Sequence, residues 1–269
     1  MIRKAVIPAA GMGARFYPLT RAQPKEMLPL VDRPVIQYVV EEAVNSCLDE
    51  ILIIVGAGKD AIINYFDRHT LDSVYRDTGI QDLPDVYFIR QKQQKGLADS
   101  IMYAKNFTGE EDFVVLLGDT VYKSNSEITV TSQLIRTYNK NRKALIALEK
   151  VDHNLVNHYG IVSVNPRTMR IREAIEKPDP EKSPSNLAIT GTYIFNSNIY
   201  DFISKLRPGK NNELQITDAI NMMCKEYEVF GSVINGERYD IGTIELWLNS
   251  FLSFLDKSKY SDILKKYTK

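Results

Sequence analysis

Apolar and polar residues alternate along this chain in blocks that switch between two periods. A short continuous apolar run, Ala5 to Ile7, reads as a buried strand and breaks at Pro8. Val35, Ile36, Val39, Val40, Ala43, Val44 and Cys47 then recur at helical spacing, with Pro34 suited to the first helical turn. Ile51 to Val55 is a β-branched strand ending in Gly56-Ala-Gly58, and Ile62, Ile63 and Phe66 mark the helix after it. The strand Val86 to Ile89, a helix from about Leu97 to Lys105, and the strand Phe113 to Leu117 continue the alternation. Leu71 to Asp85, polar and containing Gly and Pro, reads as a long loop or hairpin. Such alternation predicts an α/β fold: a Rossmann-like, mostly parallel (mixed) sheet flanked by helices, with its ligand crevice at the strand ends.

After Lys150 the pattern loosens into short strands at Gly160 to Val164, Leu187 to Phe195 and Val229 to Val233, with helices between them. The last helix, Ile244 to Leu255, is apolar over much of its surface and must pack against something, a second subunit included. No internal repeat or low-complexity tract interrupts the chain, and residues 1–269 read as one domain.

Charge and composition narrow the possible partners. The 34 basic and 34 acidic residues cancel, whereas nucleic acid or an anionic membrane would favour a basic excess. Cys47 and Cys224 stand far apart in apolar helical patterns and read as buried free thiols. The first apolar run is too short for a signal peptide, and no segment has the length for a membrane span. A soluble, cytoplasmic protein is expected.

The chemistry begins where the first strand ends, at Pro8-Ala-Ala-Gly-Met-Gly-Ala-Arg15, followed by Pro24-Lys-Glu-Met-Leu-Pro29. Small residues at Ala9, Ala10, Gly11 and Gly13 let backbone N–H groups approach an anion, and Arg15 and Lys25 add fixed positive charge. A dinucleotide fingerprint would need a third glycine where Phe16 stands, and a P-loop would need a lysine directly after its last glycine. Neither is present, which leaves a triphosphate loop of another kind or a ligand-free glycine turn. Asp119, after Phe113 to Leu117 and Gly118, falls at the mouth of the sheet, and Asp240 lies between a strand and a helix. Two carboxylates from strand ends are the usual protein share of a magnesium site, although either could cap a turn. His69, His153 and His158 show no metal spacing, and no Ser or Cys has a recognisable base beside it.

Eight segments in one order carry a family resemblance: Arg15-Phe-Tyr-Pro-Leu-Thr with Pro24-Lys-Glu-Met-Leu-Pro29, Arg90-Gln-Lys-Gln-Gln-Lys-Gly-Leu97, Leu117-Gly-Asp119, Tyr159-Gly-Ile161, Ile175-Glu-Lys-Pro178, Pro184-Ser-Asn-Leu-Ala-Ile-Thr-Gly191, Asn212-Glu-Leu-Gln-Ile-Thr-Asp-Ala219 and Arg238-Tyr-Asp-Ile-Gly242. Over nearly its whole length the chain resembles the sugar-1-phosphate nucleotidyltransferases, and most nearly the prokaryotic UTP–glucose-1-phosphate uridylyltransferases. The resemblance implies transfer of a uridylyl group from UTP to glucose 1-phosphate, with Mg²⁺ as cofactor and a homo-oligomer, dimer or tetramer, as the assembly. It implies catalytic roles for Arg15, Lys25 and Lys177, and metal ligation by Asp119 and Asp240. Ala9, Ala10, Gly11, Gly13, Glu26, Gln91 and Gly96 become nucleotide-binding, with Gln91 facing the pyrimidine. Gly160, Glu176 and Gly191 become sugar-binding. The nucleotide half would span about 1–150, and the sugar half with the C-terminal helices about 151–269.

Several positions depart from that pattern. Ala14 replaces a threonine, Thr120 an acid, Ala98-Asp99 a Gly-His pair, and Thr192 an arginine. Phe16-Tyr-Pro-Leu-Thr and Gly96-Leu-Ala look nearer to the glucose-1-phosphate thymidylyltransferases, so dTTP stands as the alternative nucleotide. An inert sugar-nucleotide sensor on the same fold and an NAD-dependent dehydrogenase are the competing classes; Phe16 speaks against the second.

Overall fold

The computed structural model describes residues 2–67, 83–84, 86–209, 212–255 and 259–267. The loop expected at 71–85 therefore lies, except for 83 and 84, outside the described residues, as does His69. The chain opens with strand β1 (Lys4–Ala9), three short 3₁₀ turns and the small hairpin β2 (Pro29–Leu30) and β3 (Arg33–Pro34), then helix α1 (Val35–Val44). β4 (Glu50–Val55), α2 (Asp60–Phe66), β5 (Val86–Arg90), α3 (Leu97–Met102), α4 (Lys105–Thr108) and β6 (Phe113–Leu116) continue the α/β alternation. β7 (Thr120–Ser124), α5 (Val130–Asn141), β8 (Ala144–Lys150), β9 (Gly160–Val164), β10 (Ile171–Glu176) and β11 (Leu187–Phe195) follow. The chain then forms α6 (Ile199–Ser204), α7 (Ile216–Glu226), β12 (Val229–Val233), β13 (Gly236–Asp240), α8 (Ile244–Phe254) and α9 (Ser261–Tyr267).

Nine strands form one mixed sheet with the order β10-β9-β11-β6-β1-β4-β5, to which β8 adds beside β11 and β12 beside β8. The first half is parallel, Ala5 to Ala9 pairing with Ile51 to Val55 and Ile51 to Val55 with Val86 to Arg90. The second half is largely antiparallel, with β11 pairing β6, β8 and β9. β9 and β10, also antiparallel, are joined by a connection too short for the crossover of a dozen or more residues that parallel pairing needs.

The period-2 alternation of the strands builds a core on each face. Val6, Leu52, Ile54, Phe113 and Val115 turn to one side, against Ile101 of α3, Tyr200 of α6 and Ile220 of α7. Ala5, Ile7, Ile51, Ile53, Val114 and Leu116 turn to the other, against Ile36 and Val40 of α1 and Leu134 of α5. A third cluster, Phe16, Leu28, Leu30, Val35, Val121 and Ile241, is covered by Trp247, Phe251 and Phe254 of α8. Around the rest of α8, Leu246, Leu248 and Leu252 are exposed. No helix among the described residues is long and apolar enough to cross a membrane.

Three local expectations need correction. Pro34 sits in extended conformation as the residue before α1 rather than in its first turn. Cys47 lies beyond that helix with φ 62° and is exposed, whereas Cys224 is buried as expected. The helix expected from Leu97 to Lys105 divides at Tyr103, where consecutive N–H groups bond three residues back, Tyr103 to Ser100 and Ala104 to Ile101, and tighten the turn.

Candidate active site

β4 and β6 flank β1 on opposite sides, so the strand order reverses at β1, and a crevice opens beyond its carboxyl end. The chain leaves β1 through Ala10, Gly11, Met12 and Gly13 into a 3₁₀ turn, Ala14–Phe16. Phe16 is fully buried in the third cluster and anchors this loop, which explains the aromatic residue where a dinucleotide fingerprint has glycine. The Thr20 hydroxyl donates to the Gly13 carbonyl at 3.0 Å and closes the loop from its other side. A Cβ at Gly11 would meet nothing within 4 Å, because Gly11 borders open cleft. Ala9 packs into the core against Gly118 and lines neither cavity described below, in contrast to its expected place among the ligand contacts.

Two adjoining cavities meet at this loop, and Gly11, Met12, Lys25 and Asp119 belong to both. The larger, about 490 Å³, also takes in Gly13, Arg15, Gly160, Glu176, Lys177, Gly191 and Asp240. The smaller, about 300 Å³, takes in Ala10, Glu26, Gln91 and Gly96. Apart from Ala9, every residue given an expected catalytic, binding or metal role lines one cavity or both.

The antiparallel ribbon β7–β13 brings the two acids together. Asp240 pairs in register with Thr120, beside Asp119, and the Ile241 N–H donates to the Asp119 carbonyl at 2.9 Å. Burial, then the charge of Asp119, push the Asp240 carboxyl above its usual range. Lys25 lies in a 3₁₀ turn, Lys25–Met27, and its ammonium forms an ion pair with Asp119. Burial works against that ammonium, but Asp119, Glu26 and Asp240 together outweigh it and hold its pKa above the ordinary lysine value. The Arg15 guanidinium stands at the rim on the same side, its Nη1 3.6 Å from a Cβ placed at Gly242.

Across the larger cavity, Glu176 ends β10 opposite Gly160. Its Oε1 lies 2.7 Å from Lys177 Nζ, and its Oε2 accepts from the Thr217 hydroxyl at 2.6 Å. Lys177 adopts φ 47°, its N–H donating to the Tyr159 carbonyl at 2.9 Å, which fixes the turn that aims its side chain. In the smaller cavity, Glu26 forms a buried ion pair with Lys59 at 2.6 Å. Burial pushes the Glu26 carboxyl up and the Lys59 ammonium down, each partly opposed by the partner's charge. Gln94 donates from Nε2 to the Ala10 carbonyl and braces the glycine loop that follows β1. Gly96 has φ 104°, and a Cβ there would come within 2.7 Å of the Leu214 carbonyl; that close approach to the chain, as well as to the cavity, calls for glycine.

Sequence reasoning missed several of these groups. Arg238 donates from Nε to Glu149 at 2.6 Å, lies 3.4 Å from Asp240, and stacks its guanidinium 4.8 Å from the Tyr159 ring centre. Its signal was present, since residues two apart on a strand share a face and Arg238 precedes Asp240 by two. Lys59 and Thr217 left no comparable trace, because their partners are 33 and 41 residues away. Among the described residues no group of three or more His, Cys, Asp or Glu could hold a metal ion by itself.

Residues 4–257 match the family model described as nucleotidyl transferase. The chain belongs to this family. A relative of this transferase from Staphylococcus haemolyticus, named UTP–glucose-1-phosphate uridylyltransferase, is 38% identical over 283 residues, covering 100% of this chain and 98% of its own. A solved UDP-glucose pyrophosphorylase complexed with UDP-glucose superposes with a TM-score of 0.89 at 36% identity, covering 94% of the transferase and 98% of its own chain. A UTP-bound UGPase from Acinetobacter baumannii superposes with a TM-score of 0.89 at 33% identity over 100% of both chains.

Proposed function

We propose that this transferase moves a uridylyl group from UTP to glucose 1-phosphate, giving UDP-glucose and pyrophosphate. The observation that carries the reading is the meeting of two cavities at Lys25 and Asp119, one bordered by Gln91 and Glu26, the other by Glu176 and Lys177. A nucleotide whose base enters the smaller cavity has its α-phosphate at that junction, facing a sugar phosphate held in the larger one. The names and ligands of the relatives support the same assignment.

A sugar-phosphate oxygen attacks the α-phosphorus, a P–O bond forms, and the bond to the β-phosphate breaks with pyrophosphate leaving. No proton has to move and no covalent enzyme intermediate is needed. The protein's task is to bring two polyanions together, and alignment alone can remove about 7–11 kcal/mol from a bimolecular barrier. Lys25, kept charged by its acidic neighbours, and Arg15 stand at the triphosphate side, and Lys177 at the sugar phosphate. Glu176, already accepting from Thr217, orients sugar hydroxyls. Asp119 and Asp240 suit a divalent cation, since their mutual repulsion in a buried setting is what a dication relieves. Bound there, Mg²⁺ would supply charge neutralisation at the α-phosphate. Residues 1 to about 150 then carry the nucleotide and the rest the sugar, with Asp240 returned to the nucleotide side by the β7–β13 ribbon. The exposed leucines of α8 fit a homo-oligomer, whose size light scattering would read.

Pyrophosphate release with UTP, dTTP, CTP, ATP and GTP against a panel of sugar 1-phosphates tests the assignment. Magnesium-dependent release that is fastest with UTP and glucose 1-phosphate is expected; a dTTP preference would overturn the uridylyl part, and silence with every pair would favour a sensor. Lys25→Ala should lower the rate about 10²–10³-fold while keeping a cooperative melt. Near-parent activity in that variant would remove Lys25 from the mechanism.

A further inference from the structure

The smaller cavity contains a contact that assigns the orientation of its base-facing amide. Gln91 is buried and its Nε2 donates to Asp99 Oδ2 at 2.6 Å. The two ends of an amide look alike, and partners decide which is which; here the partner is a carboxylate, which only accepts. One of the two amide hydrogens is therefore taken, which fixes which end is nitrogen, and the Gln91 carbonyl oxygen has no hydrogen-bond partner among the described residues. Asp99 is well placed to impose this. It sits in the first turn of α3, whose start is fixed by bonds from Ala98 N–H to the Leu214 carbonyl and from Leu214 N–H to the Lys95 carbonyl. The Gln91 backbone is held independently by its N–H bond to the Val55 carbonyl at 2.8 Å. A second observation marks the same wall as a ligand surface: Ser100, 3% exposed and lining the cavity, has a hydroxyl oxygen with no hydrogen-bond partner.

We propose that Asp99 is a positioning residue for base selection: by taking the Gln91 amide nitrogen, it leaves the carbonyl oxygen to face the nucleotide base. This rests on the smaller cavity being the base site. An acceptor at that point rewards a base whose ring nitrogen carries a hydrogen, as N3 of uracil and thymine does. Cytosine presents a lone pair at N3, so two acceptors would face each other. Turning the Gln91 amide to suit cytosine sets its oxygen against the Asp99 carboxylate instead. With N3 placed at Gln91, either arrangement sets two acceptors against each other, and Asp99 thereby weakens cytosine binding without touching it. Uracil and thymine share the N3–H edge, so Asp99 does not separate UTP from dTTP.

The test is Asp99→Asn, whose amide can accept from or donate to Gln91 and so permits both orientations, with Asp99→Ser as a second variant lacking the carboxylate. Equilibrium binding of UTP, dTTP and CTP with Mg²⁺ is measured by calorimetry, alongside kcat and KM for pyrophosphate release. The UTP-over-CTP preference should fall about 10- to 100-fold, through KM more than kcat, while the ratio of UTP to dTTP stays within about twofold. A merely structural role would weaken all three nucleotides alike, and that result, or an unchanged UTP-to-CTP ratio in a folded variant, overturns the proposal. So does a parent protein that binds UTP and CTP equally, or binds neither. A parent that binds UTP over CTP and loses that preference in Asp99→Asn, yet releases no pyrophosphate, upholds the proposal and overturns the transferase reading alone.

Discussion

Lys59 shows how much one residue outside the reacting set can matter. It and Glu26 are almost wholly buried and paired at 2.6 Å, so each is tolerable in the interior only because of the other. Removing one member of a buried pair typically costs about 3–5 kcal/mol, since the remaining charge is left uncompensated. Lys59→Ala should therefore destabilise the protein by about that amount near neutral pH in denaturant melts. The sign of its pH dependence follows from Glu26. Burial already raises the Glu26 carboxyl above its ordinary value, and losing Lys59, which lowers it, raises it further. A group whose folded pKa is raised contributes most below its unfolded value and loses that contribution as pH rises through the folded one. The deficit of Lys59→Ala should thus shrink as pH falls from 7 towards 4.5. A deficit that grows in acid would show that Glu26 is not the group left stranded.

At the scale of elements, start signals govern what packing then completes. Thr129 caps α5, accepting from the Ser132 N–H at 3.0 Å, and Glu42 of α1 accepts from the Thr131 N–H at 2.8 Å, so two groups serve one helix end. Thr129→Ala should cost about 0.5–2 kcal/mol in the midpoint of a urea melt without changing its slope, which would separate a lost cap from altered compactness. This helix was not legible beforehand. The elements that could be read had a continuous apolar run or a helical stripe, as in β1, α1, β4, α2, β5, β6, 160–164, 187–195, 229–233 and α8. β7 and β13 escaped notice because Thr120-Val-Tyr-Lys-Ser124 and Gly236-Glu-Arg-Tyr-Asp240 are mostly polar and become strands by pairing with each other across more than a hundred residues. Periodicity also overran the end of α1, where Cys47 continues the apolar spacing but the backbone has already turned. The proposed catalytic residues were reached differently. Arg15, Lys25 and Asp119 follow strand or turn signals within a short segment, and Lys177 came from the family resemblance. Lys59, Thr217 and Glu149, by contrast, make long-range contacts that leave no local pattern.

The whole molecule assembles the proposed reactive junction from three distant segments: the turn at Lys25, the strand end at Asp119 and the ribbon end at Asp240. Nucleotide and metal should therefore act as a clamp across the fold, and the acid pair gives the clamp an opposite sign in the free protein. Burial and the charge of Asp119 raise the Asp240 carboxyl by more than Arg238, Lys25 and Arg15 lower it, so its ionised form is penalised in the free protein. Asp240→Asn removes that penalty and should raise the melting temperature of the free protein in EDTA. With UTP and Mg²⁺ the order should reverse. A ligand at about a hundred times its Kd adds about 2.7 kcal/mol, and each kcal/mol shifts a chain of this size by about 2–4 °C, so the parent should gain about 5–10 °C. In Asp240→Asn the magnesium-dependent part of that gain should be lost, leaving what UTP contributes alone. Scanning fluorimetry of both proteins with EDTA, with UTP, and with UTP and Mg²⁺ reads all the terms together. Equal magnesium increments in parent and variant would place the cation elsewhere, and a variant less stable than the parent in EDTA would mean that the Arg238 pair and the charge of Lys25 outweigh burial and the repulsion by Asp119.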